Sequence, residues 1–290
     1  MSFFEWETAT PKSQGLDFFK LKQARDYALT GGGSGCIARG GKLVMAWGDQ
    51  EKRYDIKSST KSIGVTPLGL AIKDGLVKLD DKACTYVEEM DVGPNAGDGR
   101  VNDITLRHLA TMTAGFEKPG GFEKLVFDPG TRWAYTDGGA NWLADCLTIA
   151  FNQDMKTLMF ERVFEPLGIS ESDLTWRKNA YRRETIQGIT RCEFGAGIHA
   201  NVDALAKIGY LYLNRGRVNN LEILSEFFLI LCVSPFLALK VFPWRTGRRG
   251  DRWVLQVTMV CCGGTMQMGQ LKECREMLIG LLGCTTVSFW

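Results

Sequence analysis

Ser58-Ser59-Thr60-Lys61 sets a hydroxyl three residues ahead of an amine at the mouth of an expected helix. An extended stretch, Lys42 to Trp47, precedes it, followed by a polar approach from Asp49 to Lys57. Downstream, Ile63, Val65, Leu68, Leu70, Ala71 and Ile72 recur with roughly helical spacing. Residues i and i+3 share a helix face, so Ser58 and Lys61 can come within hydrogen-bond reach. A serine hydroxyl is a weak nucleophile alone, and a neighbouring amine can take its proton. Ser59 and Ser62 lack this relation to Lys61. Alone, Ser-x-x-Lys is also what a capped, solvated helix start looks like.

Further motifs decide between these readings. Phe127-Asp128-Pro129-Gly130-Thr131-Arg132-Trp133-Ala134-Tyr135-Thr136-Asp137 is a Pro-Gly turn followed by a short aromatic run. Such a turn can present the Tyr135 phenol on a loop beside a cleft. Between the two motifs, Ile104 to Phe116 reads as a capped amphipathic helix that stops at Gly115. Phe164-Glu165-Pro166-Leu167-Gly168-Ile169 comes later. In this order and at these separations the chain resembles the serine β-lactamase and penicillin-binding-protein superfamily. The likeness is greatest to class C β-lactamases and the serine esterases built on the same plan, and it covers roughly residues 10 to 225.

The resemblance implies roles position by position. Ser58 is similar to the family's acyl-accepting nucleophile and Lys61 to its partner amine. Tyr135 matches the tyrosine of the Tyr-x-Asn element, which handles protons for the attacking serine and the leaving group. Asp137 stands where that element usually has asparagine. A carboxylate there favours the charged form of Lys61, which makes the lysine a poorer base and moves that role toward Tyr135. Ionised, Asp137 cannot donate the hydrogen bond by which the asparagine helps seat a substrate amide. The departure therefore points to simple esters rather than β-lactams. The alternative is that Asp137 only caps the Gly138-Gly139 turn.

Other features carry less. His108 and His199 are the only two histidines; neither has a neighbour at metal-ligand spacing, so both read as structural and no metal is expected. His199 sits where the resemblance implies a glycine-rich turn leading into a helix. Gly31-Gly32-Gly33-Ser34-Gly35 has no following lysine and precedes a strand, so it reads as a flexible turn rather than a phosphate loop. The formal charge of +2 leaves no electrostatic footprint for nucleic acid. The longest apolar run, Phe227 to Leu239, is broken by Ser234 and Pro235 and is too short to span a bilayer. Met1 to Gly15 does not read as a signal peptide, which makes a cytoplasmic location the default expectation. Nine cysteines without CxxC pairs suggest neither a disulfide framework nor a metal cluster. No cofactor is expected, and the partner is a small ester or amide.

The element order predicts an α+β fold of the β-lactamase/transpeptidase type, an antiparallel sheet flanked by helices plus an all-helical lobe. Residues 17 to 30 read as a helix, and Gly35–Arg39 with Lys42–Trp47 as a hairpin across Gly40-Gly41. Helices are expected from Gly138 to Phe151 and from Ala204 to Leu213. The hydrolase domain is expected over residues 1–225, with the sheet lobe beginning at 16–57 and the helical lobe at about 58–215.

Residues 226–290 form an anomalous tail. Five of the nine cysteines (Cys232, Cys261, Cys262, Cys274, Cys284) fall there, and the familiar motifs stop. If the codons for Met259 to Gly269 are read one nucleotide earlier, Met259-Val260 forces a glycine, Cys261-Cys262 a leucine and Met266-Gln267 an alanine. The remaining positions permit Gly-Val-Leu-Trp-Trp-Asn-Asn-Ala-Asp-Gly, a string similar to the segment before the family's third active-site strand. One reading is therefore a frameshifted translation from roughly residue 226, leaving the C-terminal strands missing or aberrant. The other takes Arg245-Thr246-Gly247 as a working third motif, Trp253 to Val260 as a strand and Leu271 to Leu282 as a closing helix. Three functional readings stay open: an acyl-enzyme serine hydrolase, a non-catalytic groove-binding homologue and a defective frameshifted product.

Overall fold

The computed structural model describes residues 3–233 and the backbone of Met277–Leu282. Arg245-Thr246-Gly247 and Trp253 to Val260 lie outside the described residues. The chain begins with a short strand, β1 (Glu7–Thr8), and helix α1 (Phe18–Leu29). Asp17 starts α1 by accepting from the Phe19 and Lys20 amides at 2.8 and 3.0 Å, which satisfies two of the helix's unpaired N–H groups. Strands β2 (Ser34–Arg39) and β3 (Lys42–Trp47) then form the expected hairpin. Gly40 and Gly41 both have positive φ, 57° and 75°, so the tight turn costs little there.

β2 is buried along most of its length because it is covered on both faces. With a side-chain period of two, Ile37 packs with Leu21 of α1 and Trp47, whereas Cys36 joins the main core on the opposite side. β11 (Met277–Leu282) pairs antiparallel with β2, from Met277↔Arg39 to Leu282↔Ser34. The sheet order is β1-β3-β2-β11, with β1 parallel to β3. Residues 277–282 are thus a strand, not part of the closing helix expected over Leu271 to Leu282; residues 271–276 lie outside the described residues. A run of apolar residues this short does not distinguish helix from strand by period, and pairing with the edge of β2 settles it.

β4 (Tyr54–Asp55) leads into the Ser58 region, which is segmented rather than one continuous helix. A 3₁₀ turn, Lys57–Ser59, passes into α2 (Thr60–Gly64), and α3 (Thr66–Lys73) restarts with Pro67 in its first turn, where the missing N–H does no harm. Ile63, Leu68, Leu70 and Ala71 are buried as their spacing predicts. α4 (Leu106–Ala110) is shorter than the helix expected to run to Gly115. It ends because Met112 takes a left-handed φ of 58°, and Gly115 lies in the turn beyond. His108 closes a capping box: it donates its backbone N–H to Thr105 Oγ1 at 3.2 Å, and its Nδ1 accepts from the Thr105 amide at 3.3 Å. Burial lowers the His108 pKa, which favours the neutral ring this contact needs.

α5 (Asp137–Phe151) runs through the main core, and α6 (Met155–Met159) continues into a π-helical turn at Phe160–Phe164. The remaining elements are β5 (Leu174–Trp176), β6 (Thr185–Ile186), β7 (Ile189–Thr190), β8 (Ile198–Ala200), α7 (Val202–Leu213), β9 (Arg217–Val218), β10 (Leu221–Glu222) and α8 (Glu226–Val233). The stretch expected to be helical thus also contributes β5 and β8, which form a small sheet with β4 in the order β4-β8-β5, and the β6-β7 hairpin. Strands of two or three residues leave no periodic signal. α7 starts at its N-cap Asn201, whose side chain accepts from the Ala204 amide, and packs against β2 and β11. Phe228 and Leu229 of α8 are buried. A Cβ on Gly69 would lie 2.5 Å from the Phe228 ring, so α8 docks on α3 only because that position is glycine.

Candidate active site

Four elements bring the site together. The turn before α2 supplies Ser58 and α2 itself supplies Lys61. The loop before α5 supplies Tyr135, and the first residue of α5 is Asp137. The start of α2 is fixed from beneath, because fully buried Thr60 Oγ1 accepts from the Ile198 amide of β8 at 3.1 Å. The start of α5 is fixed similarly. Thr136 Oγ1 accepts from the Gly139 amide at 3.1 Å and donates to the Glu117 carbonyl at 2.7 Å, while the Asp137 amide donates to the Lys118 carbonyl at 2.8 Å.

Lys61 is the hub. Its Nζ donates to Ser58 Oγ at 3.3 Å, to the Gly195 carbonyl at 2.6 Å and to Asp137 Oδ1 in a short ion pair. It also lies 4.7 Å from the Tyr135 ring centroid, a cation–π distance. The Lys61 side chain is only 10% exposed and that of Asp137 26%. An ammonium has three N–H donors and no acceptor, and here each donor has an acceptor. Three of the four residues selected from the sequence (Ser58, Tyr135 and Asp137) therefore surround the side-chain nitrogen of the fourth, Lys61. The capping alternative for Asp137 fails, since Thr136 caps α5 and the Asp137 carboxylate grips Lys61.

Two members of the site were not selected from sequence. The Gly195 carbonyl is a backbone group with no signature of its own. Asn141, one turn beyond Asp137 on α5, is fully buried and holds the Phe194–Gly195 backbone. Asp137, Asn141 and Asp145 recur every fourth residue on a largely apolar helix, and that polar stripe was the available signal.

Asp145 anchors α5 deeper in the core. Its carboxylate pairs with Arg182 Nη1 at 2.7 Å and Arg191 Nε at 3.1 Å, and all three side chains are fully buried. Arg182 also stacks 3.8 Å from the Trp142 ring centroid and donates to the Gly138 carbonyl at 3.1 Å. Burial raises the Asp145 pKa and lowers that of Arg182, against their mutual attraction.

Other groups stand apart. His199 lies in β8, with its ring 43% exposed and 3.8 Å from Asp55, rather than in a glycine-rich turn. A cavity of about 360 Å³ is lined by Trp176, Lys156, Arg177, Lys178, Arg191 and others. Its cations are already engaged, Lys156 by Glu171, Arg177 by Glu193, Lys178 by Glu184 and Arg191 by Asp145 and Glu89. Its thiol, Cys192, is buried, which pushes its pKa well up and leaves it unreactive. No group of three His, Cys, Asp or Glu side chains suited to a metal occurs among the described residues. Nor is any helix among them long and apolar enough to cross a membrane.

The sheet, the helical lobe and a serine–lysine pair facing the start of a buried helix define a β-lactamase/transpeptidase-like α+β fold. The chain belongs to the Beta-lactamase family, whose profile matches residues 22–260. Its fold is similar to that of a Bacteroides dorei protein provisionally described as a β-lactamase, with a TM-score of 0.62 at 16% identity over 76% of this chain and 70% of that one. A mutant simvastatin synthase from Aspergillus terreus has a TM-score of 0.59 at 18% identity, over 78% of this chain and 74% of that one. An uncharacterized protein of Alkalihalophilus pseudofirmus is 24% identical over 192 residues, 63% of this chain. The chain spans about half, 55%, of the length of that curated relative.

Proposed function

We propose that this chain is built as a serine hydrolase that acts on a small ester or amide through an acyl-enzyme. Ser58 Oγ attacks the substrate carbonyl as its proton passes to the phenolate form of Tyr135, and the resulting phenol gives that proton to the leaving group as the carbonyl–leaving-group bond breaks. Water then releases the acyl group from Ser58 by the reverse proton route. The observation that carries this reading is the Lys61 hub, one ammonium touching Ser58, Asp137 and the Tyr135 ring together. Lys61, whose three N–H donors are all engaged, has no lone pair to take the Ser58 proton, and its positive charge beside the Tyr135 ring favours the phenolate that accepts it. The Ser58 amide supplies one oxyanion donor. The second, expected from the third motif, lies outside the described residues, and losing one such donor costs about 10²–10³ in rate.

Asp137 sets the substrate preference in this reading. Asp137→Asn is expected to speed acylation by a penicillin probe about tenfold, equivalent to one regained neutral hydrogen bond. Acylation by an aryl ester should change much less. Stopped-time labelling with both probes reads the ratio. A penicillin rate that stays flat or falls while ester acylation persists would remove Asp137 from the account.

The codon reading of the tail supports a second reading for this particular chain. Residues from roughly 226 onward are then translated out of frame, and the chain is a defective copy of an active hydrolase. The coding DNA tests it directly. A single-base insertion or deletion near codons 220 to 230 should restore the Gly-Val-Leu-Trp-Trp-Asn-Asn-Ala-Asp-Gly string and, in the repaired protein, raise turnover. Failure of any such repair to restore that string excludes it.

A further inference from the structure

We infer that Asn141 is a positioning residue for the Ser58–Lys61 pair, acting through the Gly195 carbonyl; the inference rests on the serine-hydrolase reading of that pair. Asn141 is fully buried on α5, one turn beyond Asp137. Its Oδ1 accepts from the Phe194 amide at 3.0 Å and the Gly195 amide at 3.3 Å. Its Nδ2 donates to the Gly120 carbonyl at 2.9 Å. Two N–H groups face one end of the amide and a carbonyl faces the other, so its orientation has one solution.

The consequence appears one peptide away. The Gly195 carbonyl accepts from Lys61 Nζ at 2.6 Å and thereby claims one of the three ammonium protons. Asp137 claims the second, leaving the third directed at Ser58. α5 therefore aims Lys61 twice, directly through Asp137 and indirectly through Asn141 and the Phe194–Gly195 backbone. Gly195 itself packs tightly, since a Cβ there would lie 3.2 Å from the Asp137 Cβ. A loosened Gly195 carbonyl frees a Lys61 proton to turn away from the site, and displacement of a catalytic group by about 1 Å can cost on the order of 100-fold in rate.

Two substitutions separate positioning from mere packing. Asn141→Leu keeps the branched shape, with two bulkier methyl groups, and loses all three hydrogen bonds. Asn141→Asp, when protonated, reproduces them, because its carbonyl accepts from both amides and its hydroxyl donates to Gly120. Burial raises a carboxyl pKa toward neutrality or above, so this variant carries its own titration. The measurement is the second-order rate of fluorophosphonate labelling of the full chain from pH 6 to pH 9, per folded molecule. Asn141→Leu is expected to label roughly 10–100-fold more slowly, with a displaced pH midpoint. Asn141→Asp should match the unsubstituted chain at pH 6 and fall behind it as the new carboxyl ionises. Wild-type rate and midpoint in folded Asn141→Leu would overturn the inference. So would Asn141→Asp that is slow already at pH 6, and this arm decides alone if Asn141→Leu does not fold. An unsubstituted chain that takes no label at any pH defeats the serine-hydrolase reading itself, and the inference with it.

Discussion

Asp145→Ala is expected to lower the free energy of unfolding by about 3–5 kcal/mol, the cost of removing one partner from a buried ion pair. Here the cost falls on two cations at once. Arg182 and Arg191 have no exposed side-chain surface and share the single Asp145 carboxylate between them. Arg191 keeps Glu89, but Arg182 keeps carbonyl acceptors and the Phe122 and Trp142 faces, with no carboxylate. The matching fall in melting temperature is roughly 6–20 °C for a domain of this size. Denaturant titration measures it through a lower midpoint at unchanged slope. Because Arg182 also holds the Gly138 carbonyl, the loss loosens the end of α5 that carries Asp137 and Asn141, so acylation should slow as well. A variant with the original midpoint would show that this cluster does not anchor the helix.

The helices and strands that position the site were legible where the chain's chemistry is periodic or punctuated. The β2–β3 hairpin followed from Gly40-Gly41 between apolar runs, and α5 from unbroken helical spacing after the Tyr135 turn. Ser58 and Lys61 were legible because a separation of three carries meaning on a helix. Tyr135 and Asp137 were found by resemblance to a motif, and the chemistry of the aspartate followed from its charge.

What stayed hidden has physical reasons. A backbone acceptor such as the Gly195 carbonyl looks the same at every residue. Asn141 acts on that backbone rather than on substrate, so no motif of reacting groups includes it. The strands β5 to β8 are too short to show alternation. Continuity of the Ser58 helix was overestimated because a helical hydrophobic pattern persists across the break at Val65, where α3 restarts with Pro67. Leu278-Ile279 with Leu281-Leu282 fits either a helix or a strand, and only pairing with β2 decided it.

The second large effect concerns the nucleophile. Ser58→Ala should abolish covalent labelling, since the two nearby alternatives lack the geometry: Ser59 and Ser62 make no hydrogen bond to Lys61, whose three donors go to Ser58, Asp137 and Gly195. Removing a triad-type nucleophile costs about 10⁶ in rate in a serine hydrolase with an intact site. Even in a chain working with one oxyanion donor, and so slower by about 10²–10³, the remaining difference is large enough to read. Neither a ligand-binding groove without chemistry nor surface reactivity of a stray serine would depend on this hydroxyl.

The direct measurement is peptide mapping by mass spectrometry after fluorophosphonate treatment of soluble, folded protein. One adduct is predicted, on the peptide containing Ser58, formed stoichiometrically and missing from Ser58→Ala. An adduct on another residue, an adduct that survives Ser58→Ala, or no adduct in folded protein would contradict the account.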